Sequence, residues 1–144
     1  MSGQSDCTFC KIIRGEIPST RVFEDDICIA FMDIFPVRNG HCLLIPKMHY
    51  ENLFDVDLSV LAHMSKRLAE LVRRVKSALN PDGVLTAAAN GAGAGQEVPH
   101  LHFHVIPRNK GDAFGFRFPD DYREKMADKK ELEFTARLIA SVDI

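Results

Sequence analysis

The chain has 144 residues, 46% apolar and 26% charged, the size and balance of one compact soluble domain with a sizeable core. Eighteen basic against twenty acidic residues leave a net charge of −2, which excludes the broad positive field that a nucleic-acid backbone requires. No apolar run approaches the roughly 18 to 20 residues of a membrane span, and the opening residues Met1 to Asp6 lack the basic-then-apolar pattern of a secretory signal. The expectation is a cytoplasmic protein, free of membrane, whose Cys7, Cys10, Cys28 and Cys42 stay reduced or hold metal.

In chain order, Thr20 to Glu24 reads as a strand, Asp25 and Asp26 as a turn, and Ile27 to Asp33 as the hairpin partner. Pro36 to Gly40 breaks the chain, and His41 to Ile45 forms the next strand, closed by Pro46. A long helix runs from about Asp57 to Leu79. Its apolar stripe is Leu61, Met64, Leu68, Leu71, Val75 and Ala78, spaced by three and four. Asp57 is its N-cap, and Asn80-Pro81-Asp82-Gly83 ends it. Val84 to Ala89 is a fourth strand, Asn90 to Glu97 a glycine-rich loop, and Leu101 to Ile106 a fifth strand. A last helix spans about Lys129 to Ala140. The expected fold is α+β: a five-stranded antiparallel sheet, one long helix across it and a C-terminal helix. A single domain over 1–144 is expected, with its core at about 7–118 and an extension from 119 to 144.

Three of the six histidines stand at His100, His102 and His104. Period two places all three imidazoles on one face of a strand, with Leu101, Phe103 and Val105 on the other. Imidazole titrates near neutrality and serves as base, nucleophile or metal ligand, so the triplet marks a reaction centre or a metal centre. Cys7-Thr8-Phe9-Cys10 is open to a zinc half-site, a redox pair or accident. A zinc site would need histidines, drawn from His41, His49, His63 or the triplet. His63 lies within the long helix and reads as an exposed or packed helical residue. The loop Asn90 to Val98 can bring backbone N–H groups close to an anion, but it lacks the lysine and hydroxyl of a P-loop.

Together these motifs resemble the histidine triad (HIT) superfamily, in its Hint-like, prokaryotic-type, zinc-containing branch. The resemblance rests on His100-Leu101-His102-Phe103-His104-Val105-Ile106 and on Cys10 to Pro18, Phe31 to Pro36, Gly40 to His49 and Gly95-Gln96. Ile106-Pro107-Arg108 and Gly111 to Phe114 extend it. It implies a hydrolase or nucleotidyl transferase acting at the α-phosphate of purine nucleotides. His102 would be the nucleophile, forming a nucleotidyl-histidine, with His104 on the phosphate and His41 beside the centre. The implied activity is a nucleoside 5′-phosphoramidate hydrolase releasing AMP or GMP. The alternatives are a dinucleoside-polyphosphate hydrolase or a low-turnover nucleotide-binding regulatory module.

The resemblance also implies Asp33 at the ribose, Asn90 at the phosphate or ribose, and Gln96, Glu97 and Val98 in the nucleotide loop. Phe9, Ile12, Phe23, Phe31 and Ile34 would form the base pocket. One structural zinc per chain would sit on Cys7, Cys10, His49 and His100, and the protein would be a homodimer. Glu97 departs from the Ser or Thr of many Hint-like members. An ionised carboxylate cannot donate a hydrogen bond and repels phosphate.

Overall fold

A computed structural model describes residues 6–113 and 118–144. The opening residues Met1 to Ser5 and Phe114 of the Gly111–Phe114 motif lie outside the described residues. Chain contacts separate two compact units, 1–112 and 113–144.

The first unit comprises helix α1 (Thr8–Ile13), strands β1 (Arg21–Glu24), β2 (Cys28–Met32) and β3 (Cys42–Pro46), helix α2 (Leu58–Leu79), and strands β4 (Gly83–Ala87) and β5 (Phe103–Arg108). The sheet order is β1-β2-β3-β5-β4, every neighbouring pair antiparallel. β5 is therefore an interior strand, between β3 and the edge strand β4. The second unit carries helix α3 (Lys129–Ala140), whose N-cap Asp128 accepts the N–H groups of Lys130 and Glu131. Among the described residues no helix is long and apolar enough to cross a membrane.

Helix α2 begins where expected: the Asp57 carboxylate accepts the N–H of Ser59 at 2.8 Å, and Asn80 ends the helix in the left-handed region at φ 46°. Its stripe packs on the sheet through Met64, Leu71 and Val75, with Val60, Leu61, Leu68 and Val72 at the margin. Ala78, expected in the stripe, is exposed.

Period two sorts the sheet's side chains. Cys28, Ala30, Cys42, Leu44, Leu101 and Val105 face α2. Ile29, Phe31, Leu43 and Ile45 face the other way, against Cys7, Phe9, Cys10 and Ile12 of the α1 segment. Both faces of β2 and β3 are thus covered, so their sequences read as continuous apolar runs.

Two differences from the sequence reading bear on function. Helix α1 was not expected, and it carries the Cys-x-x-Cys motif at its N-terminus. The histidine strand forms its ladder only from Phe103 and continues through Pro107 to Arg108. Pro46, which would face its beginning, has no N–H to donate. The Pro46 carbonyl takes the His100 ring instead, and the Leu101 N–H goes to the Tyr50 carbonyl at 2.7 Å. The expected strand face survives this break: His100, His102 and His104 still share the side opposite α2.

Candidate functional site

A cavity of about 530 Å³ opens on the sheet face opposite α2. Of the residues named as site candidates from the sequence, Phe9, Ile12, Phe31, Asp33, Ile34, His41, Glu97, Val98, His102 and His104 line it, and Thr8, Ile17, Ser19, Phe35, Val37 and Leu43 join them. Its size and largely apolar wall suit an organic ligand of nucleotide dimensions. Phe9 meets Phe31 edge-on at 5.7 Å between centroids and His102 at 5.2 Å, so α1 closes one end of the cavity.

The hydrogen bonds assign each imidazole its tautomer. The Nδ1 of His102 is 2.7 Å from the His100 carbonyl, which only accepts, so Nδ1 carries the proton. The Nε2 of His102 is left with its lone pair. On His41 the order is reversed: the Val37 N–H donates to Nδ1 at 3.1 Å, so the proton resides on Nε2. That proton points to the Nδ1 of His104 at 2.9 Å, with Asp33 Oδ2 farther off at 3.5 Å. His104 must then carry its own proton on Nε2. The site thus holds one unprotonated nitrogen on His102 and one N–H on His104, with ring centroids 5.0 Å apart. This pairing can attack a phosphorus or carbonyl centre and donate to the oxygen on it.

Burial favours the neutral rings this network needs. It pushes His104 down to about 4, aided by the neighbouring His102 and His41 and opposed by Asp33. Burial lowers His41 as well, again against Asp33. Asp33 also accepts the Phe35 N–H on Oδ1 at 2.8 Å, which holds its carboxylate against the turn after β2.

Beside the cavity, one ligand atom from each of Cys7, Cys10, His49 and His100 falls within 4.8 Å of all the others. Cys7 is the N-cap residue of α1 and Cys10 lies one turn on, so both sulfurs emerge on one side of it. The His100 Nδ1 is 3.4 Å from Cys7 Sγ and 3.6 Å from Cys10 Sγ, and His49 Nδ1 is 3.3 Å from Cys10 Sγ. A tetrahedral zinc, with bonds of about 2.3 Å to sulfur and 2.0–2.1 Å to nitrogen, has sulfur–nitrogen edges of about 3.5 Å. The tautomer fits too: the Pro46 carbonyl accepts from His100 Nε2 at 2.8 Å, leaving Nδ1 free to ligate. Burial, then Cys7, pushes the Cys10 thiol up to about 11, the frustration a dication would relieve. The residues therefore fit zinc. Asp33, His41 and His104 also cluster, but the Val37 N–H on His41 Nδ1 requires the proton on Nε2, where a metal would have to bind.

Three expected site residues stand elsewhere. Phe23 packs on the α2 side of the sheet, with the Arg67 guanidinium 4.0 Å above its ring. Here the register shifts between Arg21 and Phe23, so Phe23 faces Ala30 instead of Ile29, and the extra residue turns it to the opposite face. Asn90 does not line the cavity; its Oδ1 accepts the Leu53 N–H at 2.9 Å. Gln96 is the clamp of the glycine loop. Its Nε2 donates to the Glu51 and Val98 carbonyls, and its Oε1 accepts from the Gly91 N–H and Asn52 Nδ2. His63 reads as expected, half-buried on α2 and bonded to Asp25 at 2.8 Å.

The family model described as "HIT domain" matches residues 14–111. An uncharacterized HIT-like protein of Borreliella burgdorferi is 45% identical over 88% of this chain and 93% of its own length. An adenylylsulfatase of Arabidopsis thaliana is 42% identical over 76% of this chain, which spans 55% of that longer protein. An adenosine 5′-monophosphoramidase of Schizosaccharomyces pombe is 36% identical over 78% of this chain and 83% of its own. Among solved structures, a HIT family member from Bacillus subtilis superposes with a TM-score of 0.88 at 36% identity, covering 96% of this chain and 98% of that one. A zinc-bound histidine triad protein from Mycobacterium smegmatis gives 0.73 at 36% identity, covering 85% and 88%. With its triplet, its sheet order and its family match in agreement, the chain belongs to the HIT domain family.

Proposed function

We propose that this protein is a nucleoside 5′-phosphoramidate hydrolase that releases AMP or GMP through a covalent nucleotidyl-histidine on His102. The observation that carries this reading is the 2.7 Å bond from His102 Nδ1 to the His100 carbonyl, which leaves Nε2 as a lone-pair nucleophile in the cavity. The relatives bearing hydrolase names support the class of reaction.

In the first step His102 Nε2 attacks the α-phosphorus, the phosphorus–nitrogen bond breaks, and the amine departs with a proton from solvent. Water then cleaves the phosphorus–Nε2 bond, releasing the nucleotide and returning that proton. Splitting one displacement in two lowers each barrier. The Nε2–H of His104 donates to a phosphate oxygen, and His41 holds it in that tautomer. Asp33 accepts from the ribose hydroxyls, while Phe9, Ile12 and Phe31 take the purine.

Cys7, Cys10, His49 and His100 would hold one zinc per chain. With four protein ligands and no open position its contribution is structural, tying α1 to the histidine segment. The reading includes a cytoplasmic homodimer. β4 at the sheet edge, with half-buried Val84 and Leu85, is suited to lie between subunits with α2.

Incubation with adenosine 5′-phosphoramidate tests the reading. AMP should form, and a brief quench should trap an adenylylated protein by mass spectrometry; His102→Ala should abolish both. Nucleotide binding without AMP from any phosphoramidate would reject the hydrolase.

A further inference from the structure

Asp33 and Glu97 are the only formally charged side chains lining the cavity among the described residues; no lysine or arginine does. The two carboxylates differ in setting. Asp33 is mostly buried, tied to the Phe35 N–H and beside His41. Glu97 is exposed at the solvent side, and none of the ion pairs among the described residues includes it.

The backbone that carries it is nonetheless held. The Gln96 side chain bonds to the Val98 carbonyl at 3.0 Å and to the Glu51 carbonyl at 2.6 Å, so the residues on both sides of Glu97 are pinned. Glu97 thus stands in a rigid stretch that leads directly to the His100 carbonyl and the nucleophile. The apolar end of the cavity, built on Phe9, Ile12 and Phe31, suits a base. Glu97 is an exposed, charged part of the lining, so a group that leaves phosphorus toward solvent passes its carboxylate.

We infer that Glu97 selects substrates by the charge of their leaving group, favouring amines that bear a second, cationic ammonium and rejecting anionic groups such as sulfate, carboxylate or polyphosphate. The inference rests on the reading of His102 as a phosphoramidate-cleaving nucleophile. For charges about 6 Å apart in a near-aqueous dielectric, Coulomb's law gives about a threefold preference per unit charge. Between a cationic and an anionic leaving group that becomes about tenfold.

Three adenosine 5′-phosphoramidates test it, with leaving amines of similar length: 2-aminoethylamine (cationic), 2-hydroxyethylamine (neutral) and glycine (anionic). The kcat/KM ratio of cationic to anionic substrate is taken within each enzyme, so general losses of activity cancel, and its change between enzymes removes differences in amine basicity. Relative to the unaltered protein, Glu97→Gln should reduce that ratio about tenfold at low salt, and Glu97→Lys should reduce it further. About 0.5 M salt should bring the unaltered protein toward the Gln variant. A ratio identical in all three proteins overturns the inference while leaving the hydrolase intact. If even the neutral compound yields neither AMP nor adduct, the reading of His102 fails first and this inference falls with it.

Discussion

The Nε2 of His41 lies 2.9 Å from the Nδ1 of His104, and the Val37 N–H holds the other nitrogen of His41 at 3.1 Å. One backbone amide thereby dictates the tautomer of a ring two side chains away. Replacing His41 by Ala leaves His104 free to place its proton on either nitrogen. The expected cost is about 10- to 100-fold in kcat with a much smaller change in KM. His41→Asn, whose amide N–H can reach toward Nδ1, should recover part of that loss. Nitrogen-15 NMR of the His104 ring should show Nε2–H alone in the unaltered protein and a mixture in the Ala variant. Equal losses in Ala and Asn, with the tautomer unchanged, would show that His41 acts otherwise.

How legible this site was in the sequence depended on what each residue's role is made of. The faces of β2, β3 and β5 follow from period two, a property of the strand itself, so the triplet's common side and the packing of Leu101 and Val105 could be anticipated. The structure gives the three rings of the triplet different hydrogen-bond partners. That difference could not be read from the sequence, because for His100 and His102 it lies in the carbonyls of Pro46 and His100, and carbonyls carry no sequence signal. Phe23 was misplaced because a register shift between Arg21 and Phe23 adds one residue to the alternation, and nothing in Thr20 to Glu24 announces it. Helix α1 was missed because six residues are too few for a periodic pattern. Gln96 looked like a ligand contact because only the fold brings Glu51, Asn52, Gly91 and Val98 to its two polar atoms.

Acid should destabilise the protein in a definite window. His104 is held down to about 4 in the folded state, against about 6.5 when unfolded. Above 6.5 the ring is neutral in both states and its burial has no titration cost. Between 6.5 and about 4 the unfolded chain binds a proton that the folded one refuses, so stability falls as pH falls. At 1.36 kcal/mol per unit the loss is no more than about 3 kcal/mol from this ring, and His41 adds in the same direction. Urea unfolding at pH 7 and 4.5 checks the claim. His104→Gln should lose about 1 to 3 kcal/mol less over that interval, and zinc release, common to both proteins, cancels in the difference. Equal losses would locate the sensitivity elsewhere.

The metal cluster predicts a separation between stability and chemistry. The unaltered protein should contain one zinc per chain, and Cys7→Ser combined with Cys10→Ser should contain none. Losing the metal leaves the buried His100 and the α1 segment without their tie. The expected cost is about 4 kcal/mol, or roughly 10 to 15 °C in Tm. His102 is not a ligand, so the folded fraction of the double variant, measured well below its Tm, should still form the nucleotidyl adduct. Zinc retained in the double variant, together with activity abolished by a chelator at unchanged Tm, would assign the metal to catalysis.

Gln96 predicts how tightly the glycine loop must be held. Its Oε1 receives the Gly91 N–H at 2.7 Å and Asn52 Nδ2 at 3.1 Å, while Nε2 serves two carbonyls. Gly91 and Gly95 sit at φ 91° and 88°, a backbone that glycine adopts without strain, and the Ala94, Gly95 and Gln96 N–H groups close a turn on the Gly91 and Ala92 carbonyls; what ties this turn to Glu51 and Asn52 is Gln96. The clamp is therefore a side chain's work. Gln96→Ala removes four hydrogen bonds at once and leaves Asn52, which is buried, short of an acceptor. The expected destabilisation is about 2 kcal/mol, with hydrogen exchange accelerated at Gly91 to Val98 and not in β2 or β3. Because Glu97 is placed by the same clamp, the charge preference of the leaving group should weaken in Gln96→Ala even though Glu97 is present. Gln96→Glu keeps the acceptor toward Gly91 and Asn52 but sets an oxygen against the Glu51 and Val98 carbonyls, so it should disturb the loop as much as alanine does. If it behaves like the unaltered protein, the two donor bonds contribute little and the side chain holds the loop through Oε1.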